Sequence, residues 1–277
     1  MRDTVRRSAV AGAWYPGSPE ALIAELEGHL GAATPPAVPG RLIGLISPHA
    51  GLVYSGPVAA YGYSLLRGWR GRTAVLVGPS HRAVFAGVSL WPRGAFETPL
   101  GRLPIDEGLA EVLLASGCVS DLPGPHIAEH SLEMQLPFLA HLIPDLRIVP
   151  LLMGDQGRGS VDALAATLGE ALRDRDDVLL VASSDLSHYH PAATAHRLDA
   201  QVVERVARCD GDGLLGLLEQ SREHACGGGP MACVMKAARL LGADQATLLR
   251  YADSGDAGSH DKERVVGYLS AALSRVQ

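Results

Sequence analysis

The stretch at 41–51 reads RLIGLISPHAG: a short apolar run, a Ser-Pro step and then a histidine. A run of this kind, bounded by Pro and Gly, predicts a buried strand that ends in a turn. The runs TAVLV at 73–77, which ends at Gly-Pro, and VLLVA at 178–182 are similarly short and apolar, and segments with helical spacing separate the three. Continuous apolar strands interleaved with helices are typical of a parallel sheet covered on both faces. We therefore predict an α/β fold: a three-layer sandwich with a central, mostly parallel sheet and helices on both faces.

Weaker patterns extend this prediction along the rest of the chain. Helical spacing predicts helices at 57–66, 106–115, 131–142, 161–173, 193–208, 213–220 and 231–241. Further strands are expected at 86–91, 146–153, 246–252 and 264–272. The Pro- and Gly-rich stretch GAATPPAVPG separates an N-terminal helix from the first strong strand, and no repeat or linker follows it. We therefore expect a single domain over residues 1–277.

Composition narrows the class of protein. The chain has 277 residues and a net charge of −6, without the basic stripe that a binder of the phosphate backbone carries. Aromatic residues make up 5%, which disfavours a base-stacking surface. No apolar run approaches the roughly 20 residues of a membrane span, and the N-terminus does not resemble a signal peptide. We expect a cytoplasmic protein without nucleic-acid or membrane partners, whose four cysteines are buried thiols or a single ligand.

Polar side chains that a core does not need follow four of the predicted strands. Three of these side chains are His49, His81 and His188, and the fourth is Asp256. The carboxyl ends of parallel strands form the ligand crevice of an open α/β sheet, so all four would share one edge. A lone histidine there is more often a hydrogen-bonded turn residue. However, His49 and His81 each follow a proline within two residues, and such stiff turns suit preorganised ligands. For Asp185 and Asp256, a helix cap or an Asx-turn is an open alternative.

A second polar cluster, HIAEHSLEMQ, lies at 126–135. On a helix, His130 and Glu133 are three residues apart and share one face. The spacing matches neither HExxH nor a known zinc motif. The cluster is therefore either a polar helix start near the crevice or a functional element in which His130 and Glu133 support the site residues or form part of the wall of a substrate pocket.

Ordered motifs spread over nearly the whole chain. They are AWYP (13–16), SPHAG (47–51), YSG (54–56), GPSH (78–81), TPLG (98–101), EHSLEMQLPF (129–138), SSDLSHY (183–189) and VVGY (265–268). Together they resemble the Memo family, known in bacteria as AmmeMemoRadiSam system protein B. Because so many motifs match in order, the chain is identified as a member of that family on sequence grounds.

The resemblance implies a metal site. Memo proteins are similar to the LigB-type, class III extradiol ring-cleaving dioxygenases, which bind non-haem Fe(II) through two histidines and a glutamate. By this resemblance His49 and His81 are metal ligands and His188 is the catalytic acid/base. Asp185 would orient His188, as carboxylates beside functional imidazoles commonly do. The substrate pocket would be shaped by Tyr54, Ser80, His130 and Glu133.

The third ligand departs from the family pattern. Some Memo proteins place a cysteine after the last-but-one strand, where ungapped alignment puts Ala257, which cannot ligate. Asp256 lies one residue away, and its carboxylate would complete the two-His-one-carboxylate triad that suits Fe(II). Cys226, in a Gly-rich turn, is a second candidate, although a small buried hydrophobe is the common role of such a cysteine. His260 is a third candidate.

The function implied is that of a redox enzyme that uses Fe(II), with Zn or Cu as other metals, on an unidentified small-molecule or peptide substrate. The same ligands would equally serve a metal-dependent hydrolase with a zinc-bound water. A non-catalytic phosphopeptide-binding adaptor, as described for some Memo relatives, would need a basic pocket. The local basic cluster of Arg67, Arg70 and Arg72 is better explained as a solvated helix end. The family's genomic association with a radical SAM protein suggests a functional link.

Overall fold

The structure, a computed structural model, describes residues 4–276, of which 258 and 259 are described by their backbone alone. The helices are α1 Pro19–Ala32, α2 Leu52–Tyr63, α3 Glu107–Ala115, α4 Leu136–Leu142, α5 Arg158–Ala171, α6 Ala192–Ala207, α7 Gly211–Gln220 and α8 Gly228–Leu240. The strands are β1 Val5–Arg6, β2 Arg41–Ser47, β3 Thr73–Pro79, β4 Val88–Leu90, β5 Ala95–Thr98, β6 Gly101–Pro104, β7 Val119–Asp121, β8 Arg147–Met153, β9 Val178–Ser183, β10 His188–His190, β11 Gln245–Asp253 and β12 Val265–Arg275.

Four parallel strands form the centre of the main sheet, in the order β2-β9-β3-β8. On one side β12 lies antiparallel to β2 and carries β10 and β11. On the other side β4 lies antiparallel to β8 and carries β7. The apolar runs form these strands because both faces of the central sheet are buried, and every residue of β3 is buried. The predicted α/β fold class is confirmed.

Helices cover both faces of this sheet. The helix α8 packs on β2, β9 and β3 and is itself covered by α5 and α7. The helix α2 packs on β2, β11 and β12, with α1 and α4 against it. Buried side chains such as Leu45, Val75 and Leu180 belong to one hydrophobic core between these layers. Among the described residues, no helix combines the length and apolar character that crossing a membrane requires.

The last two strands, β11 and β12, determine where the residues that follow β11 lie relative to His49. They pair antiparallel with each other, with Ala252 opposite Tyr268. Because β12 is also antiparallel to β2, β11 runs in the same direction as β2 and its carboxyl end reaches the same edge of the sheet. However, β12 lies between them, and two strand spacings amount to about 10 Å. The residues after β11 therefore share the edge with His49 without lying beside it.

Two features near this edge differ from the predicted elements. The helix expected at 57–66 begins earlier, at Leu52, and includes Pro57 in its interior. It therefore starts directly behind the His49 turn. The small sheet β1-β5-β6 has no counterpart among the predicted strands, because strands of two to four residues are too short for a visible alternation.

Candidate metal centre

Three histidines from three separate segments meet at the carboxyl edge of the main sheet. His49 follows β2, His81 follows β3 and His130 precedes α4. One ring nitrogen of each lies within 4.8 Å of the others. His49 and His130 are buried, whereas the His81 side chain is 28% exposed. Imidazole nitrogens at this spacing could hold one metal ion in common, and we refer to this group of three as the candidate metal centre.

The turn that carries His49 is held by the neighbouring strand β9. The Nδ1 atom of His49 lies 2.8 Å from Ser183 Oγ. The backbone N–H of His49 donates to Asp185 Oδ1 at 2.7 Å, and that of Ala50 donates to the same oxygen at 3.3 Å. Ser183 lies opposite Ser47 in the parallel register of β2 and β9. The pairing of these two strands therefore brings the two turns together.

Glu129 is the carboxylate that orients His81. Its Oε1 lies 2.9 Å from His81 Nδ1 and accepts from the backbone N–H groups of His130 and Ser131 at 3.0 Å. Its Oε2 accepts from the backbone N–H groups of His81 and Arg82. Burial opposes ionisation of Glu129, but the hydrogen bonds from the His81 ring and the backbone outweigh it and lower the pKa to about 2. An ionised carboxylate that hydrogen-bonds the outer nitrogen of an imidazole is a common partner of ligating histidines.

Two rings of the candidate metal centre are neutral imidazoles. Burial is the main cause that lowers the pKa of His130 to about 4, and the nearby charges of His81 and Arg82 act in the same direction. Burial also holds the pKa of His49 well below its usual 6.5. The Nδ1 of His130 lies 3.3 Å from Glu129 Oε1 but outside hydrogen-bond geometry, and is a buried nitrogen without a partner among the described residues. Neutral, buried nitrogens of this kind fit a divalent cation.

The predicted third ligands lie at different distances from this group. Cys226 Sγ lies 3.2 Å from His49 Nε2, and burial raises the pKa of this thiol. Asp256 instead binds Lys262 Nζ at 2.6 Å and accepts from the Asp253 backbone N–H at 3.0 Å. The group of mutually close donors is completed by His130, which was expected in the pocket wall, and not by Asp256. The intervening strand β12 is the physical reason for the position of Asp256.

A cavity of about 740 Å³ lies over the candidate metal centre. Its lining includes the expected residues Tyr54, Asp185 and His188 together with the three histidines. The hydrogen bonds of the Asp185 carboxylate go to the backbone of the His49 turn. Asp185 therefore holds the turn that presents His49. Burial raises the pKa of this carboxylate, and His188, its expected partner, lowers it.

Two residues expected in the pocket wall lie elsewhere. Ser80 lines a second cavity of about 670 Å³, and its hydroxyl donates to Ala83 O at 2.7 Å. Glu133 is fully buried and pairs with the guanidinium of Arg6. It also accepts from the Tyr15 hydroxyl at 2.7 Å. Residues 133–135 form a 3-10 turn and not a regular helix, so the helical face that Glu133 was expected to share with His130 does not form.

Several residues of the site were missed from the sequence, among them Glu129 and Trp14. Glu129 directly precedes His130 inside the quoted motif, and an acid next to a candidate histidine could have indicated its role. Trp14 lies in the AWYP motif, and its ring centroid is 4.3 Å from that of His130. Trp14 lies in the N-terminal segment, far from the strand ends in sequence, so no local pattern connects it to the cavity.

A buried histidine next to this site gives a prediction for acid stability. Burial lowers the pKa of His126 from its usual 6.5 to about 3, and the ring packs against Trp91 and Phe96. Between pH 6.5 and about 3 the unfolded chain binds a proton at this ring that the folded chain does not bind. Stability should therefore fall as the pH falls through this window, by about 1.4 kcal/mol per pH unit for this proton.

The substitution His126→Leu is expected to remove that slope. Unfolding of metal-free protein by urea between pH 8 and pH 4 measures it. Above pH 6.5 the difference between variant and wild type should be constant, and below it the variant should gain relative stability. A difference that stays constant over the whole range would contradict the neutral, buried state of His126.

Comparison with known proteins places the chain in a family. A model of the family described as Memo-like protein matches residues 6–272. A MEMO1 family protein from Methanothermobacter thermautotrophicus is 40% identical over 273 residues, which cover 95% of this chain and 98% of that protein. A MEMO1 family protein from Thermotoga neapolitana is 37% identical over 284 residues, covering 98% of this chain and 100% of that protein.

A solved structure supports the fold independently. An uncharacterised protein from Escherichia coli K12 matches with a TM-score of 0.57 at 16% sequence identity, over 84% of this chain and 100% of that chain. At this identity the likeness shows the fold alone. The family match extends over nearly all of the chain, and both relatives are well above 30% identical along its length. The chain therefore belongs to the Memo-like protein family.

Proposed function

We propose that this protein is a non-haem metal enzyme that uses Fe(II) in a redox reaction on a small-molecule substrate. The observation that carries the proposal is the candidate metal centre itself, with three ring nitrogens within 4.8 Å of one another beside a cavity. The resemblance to extradiol dioxygenases supports iron. So do the carboxylate of Asp185, 4.0 Å from His49 Nε2, and the thiol of Cys226, 3.2 Å from the same atom.

In this proposal, some residues would bind the metal and others would orient the metal ligands. When bound, Fe(II) would supply an open coordination face for O₂ and a chelating substrate. His49 and His81 would each donate one ring nitrogen, and His130 or Cys226 would provide the third ligand. Glu129 would hold the ring of His81 in place through its outer nitrogen, which favours a fixed orientation and a more basic ligand atom.

Proton transfer is assigned to His188. It lies in the lining of the same cavity and would accept or donate a proton at a ring nitrogen facing the substrate. Asp185 would support the reaction indirectly, because its carboxylate fixes the two backbone N–H groups of the His49 turn. The expected orientation of His188 by Asp185 is retained in this proposal, because His188 also acts electrostatically on that carboxylate.

The cavity lining supports a planar, anionic substrate. Aromatic rings of Trp14, Tyr54 and Tyr268 lie in it, and planar molecules pack well on such rings. The guanidinium groups of Arg82 and Arg264 lie in the same lining, as do the carboxylates of Asp185 and Asp261, so the two arginines are local sites for an anionic group of the substrate. Guanidinium groups recognise carboxylates in bidentate geometry. The basic cluster at 67–72 lies outside this lining, which disfavours an adaptor that binds phosphopeptides through it.

A zinc-dependent hydrolase is the second candidate function. It is favoured by the composition of the candidate metal centre, because three histidines and an open position form a typical catalytic zinc site. A zinc-bound water would be the nucleophile in that case. The two functions differ in their need for O₂.

The deciding experiment compares the two metals in the same preparation. Protein loaded anaerobically with one equivalent of Fe(II) is mixed with aromatic carboxylates bearing adjacent hydroxyls, and O₂ uptake is followed by electrode. Zinc-loaded protein is assayed with aryl esters in parallel. We expect O₂ uptake that requires both Fe(II) and His188. Ester hydrolysis by the zinc form, without any iron-dependent O₂ uptake, would overturn the proposal in favour of the hydrolase.

We also propose that residues 1–277 form one domain. This proposal is supported by a hydrophobic core that contains residues from Tyr15 to Leu273. The link to a radical SAM protein, suggested by the family's genomic association, belongs to the same proposal.

A further inference from the structure

We propose that Ser183 and Gln135 are positioning residues that fix the His49 ring in its Nδ1–H tautomer, so that the lone pair of Nε2 faces the candidate metal centre. This inference deepens the proposed metal site and rests on it for its affinity measurement. Its tautomer measurement is independent of any metal.

The Ser183 hydroxyl has three polar neighbours. It donates to the backbone carbonyl of Ser131 at 2.6 Å. Its oxygen lies 2.8 Å from Gln135 Nε2 and 2.8 Å from His49 Nδ1. A hydroxyl carries one proton and two accepting lone pairs. Because a carbonyl oxygen can only accept, the one proton of Ser183 belongs to the bond with Ser131.

The orientation of the Gln135 amide is fixed by its other partners. Its nitrogen lies 3.0 Å from the carbonyl oxygen of Pro48, which can only accept. Its oxygen accepts from the Tyr63 hydroxyl at 2.6 Å. The atom that faces Ser183 is therefore the NH₂ group, which donates and occupies one lone pair of the hydroxyl oxygen.

One lone pair of Ser183 then remains for His49. A hydrogen bond to that lone pair requires a proton on Nδ1, because both partners would otherwise be acceptors. In the neutral ring the other nitrogen, Nε2, is then the bare acceptor. This is the atom that lies 3.2 Å from Cys226 Sγ and 4.0 Å from Asp185 Oδ2, and it is the ring nitrogen that Ser183 leaves free for a metal ion.

Because the groups of this network are buried, the tautomer assignment of His49 has no alternative. Ser183 and Gln135 are fully buried, and Tyr63 is buried with them. No bulk water reaches these groups to supply an alternative donor or acceptor, and a buried network that loses one partner leaves others unsatisfied. The tautomer of His49 is therefore imposed by residues that do not touch the cavity.

The test measures the tautomer first and the metal second. ¹⁵N-histidine NMR spectra of metal-free wild-type protein should show His49 as the Nδ1–H tautomer. In Ser183→Ala this state should be lost or mixed with Nε2–H. Affinity for Zn²⁺, used as the probe, should fall by about 10- to 100-fold, the effect typical of losing an outer partner of a ligating histidine.

Ser89→Ala is the matched control. Ser89 is also a fully buried serine on a strand, and its hydroxyl donates to the Leu122 carbonyl at 2.6 Å. Its loss should leave both the His49 spectrum and the Zn²⁺ affinity unchanged, although it removes a comparable hydrogen bond. Gln135→Met, which removes the donor to Ser183, should also perturb the His49 resonances.

Two results would overturn the inference. One is an Nε2–H tautomer of His49 in the wild type. The other is a Ser183→Ala protein that keeps both the wild-type spectrum and the wild-type affinity. If instead the wild type shows the Nδ1–H tautomer but binds neither Zn²⁺ nor Fe(II), the inference about the tautomer stands and the proposed function fails.

Discussion

Replacing His49 with alanine is expected to abolish the binding of one equivalent of Fe(II). Its Nε2 lies next to both Cys226 Sγ and the carboxylate of Asp185, and its ring contacts the rings of His81 and His130. Removing it takes away a ligand, so the loss of affinity should exceed the about 10- to 100-fold effect of losing an outer partner. Anaerobic titration of metal-free protein with Fe(II) measures this, and His81→Ala should behave in the same way.

His141→Ala provides the matched control for these variants. His141 is another partly buried histidine, at the end of α4, and pairs with Glu27 on the surface. The loss of its ring should leave Fe(II) binding unchanged. If both His49→Ala and His81→Ala kept the full affinity of the wild type, the assignment of the site would be wrong.

The same titration identifies the third ligand. His130→Ala should weaken binding strongly if the three-histidine group holds the metal, and Cys226→Ala should do so if the thiol completes the set. Asp256→Asn should have no effect, because its carboxylate is engaged by Lys262 and lies beyond an intervening strand. Glu129→Gln keeps the shape of the side chain but removes the charge beside His81, and about 10- to 100-fold weaker binding is expected.

The strand ends were the predictable part of this site. Each apolar run that ends in Pro or Gly marks the carboxyl end of a parallel strand, and that rule alone places His49 and His81 at one edge. For the run 246–252, which is followed by Asp-Ser-Gly, it predicts the same edge, and β11 does run in the direction of β2. What it does not contain is the order of strands, and the antiparallel strand β12 separates β11 from β2. Strand order is a property of long-range pairing, which no local pattern shows.

The segment 126–135 shows a second limit of sequence reasoning. Helical spacing gives His130 and Glu133 a common face, but the chain forms a short 3-10 turn there. His130 consequently faces the other histidines while Glu133 is buried with Arg6. The charge of Glu133 is stabilised by a residue 127 positions earlier in the chain. A carboxylate that a local pattern assigns to a pocket wall can therefore belong to the core.

That buried ion pair predicts a large loss of stability. Glu133→Ala should lower the free energy of unfolding by about 3–5 kcal/mol, the usual cost of breaking a buried pair by removing one partner. Arg6 would be left as an uncompensated buried cation, with side-chain exposure of 1% in the wild type. The backbone N–H groups of Ala9 and Val10 and the hydroxyl of Tyr15 would lose their acceptor as well. Urea unfolding at neutral pH measures the change.

The surface pair of Glu97 and Arg102 provides the comparison. Its side chains are 40% and 62% exposed and lie 3.6 Å apart, so Glu97→Ala should cost at most about 1 kcal/mol. In the double variant Arg6→Met/Glu133→Ala the loss should be smaller than the sum of the single losses, because the unpaired cation is absent. Arg6 also donates to the backbone carbonyls of His126 and Glu129. Without Glu133, the guanidinium of Arg6 should hold residues 126–130 less firmly, so Glu133→Ala should also weaken metal binding at His130. A Glu133→Ala protein as stable as Glu97→Ala would show that the buried pair does not anchor residues 126–130.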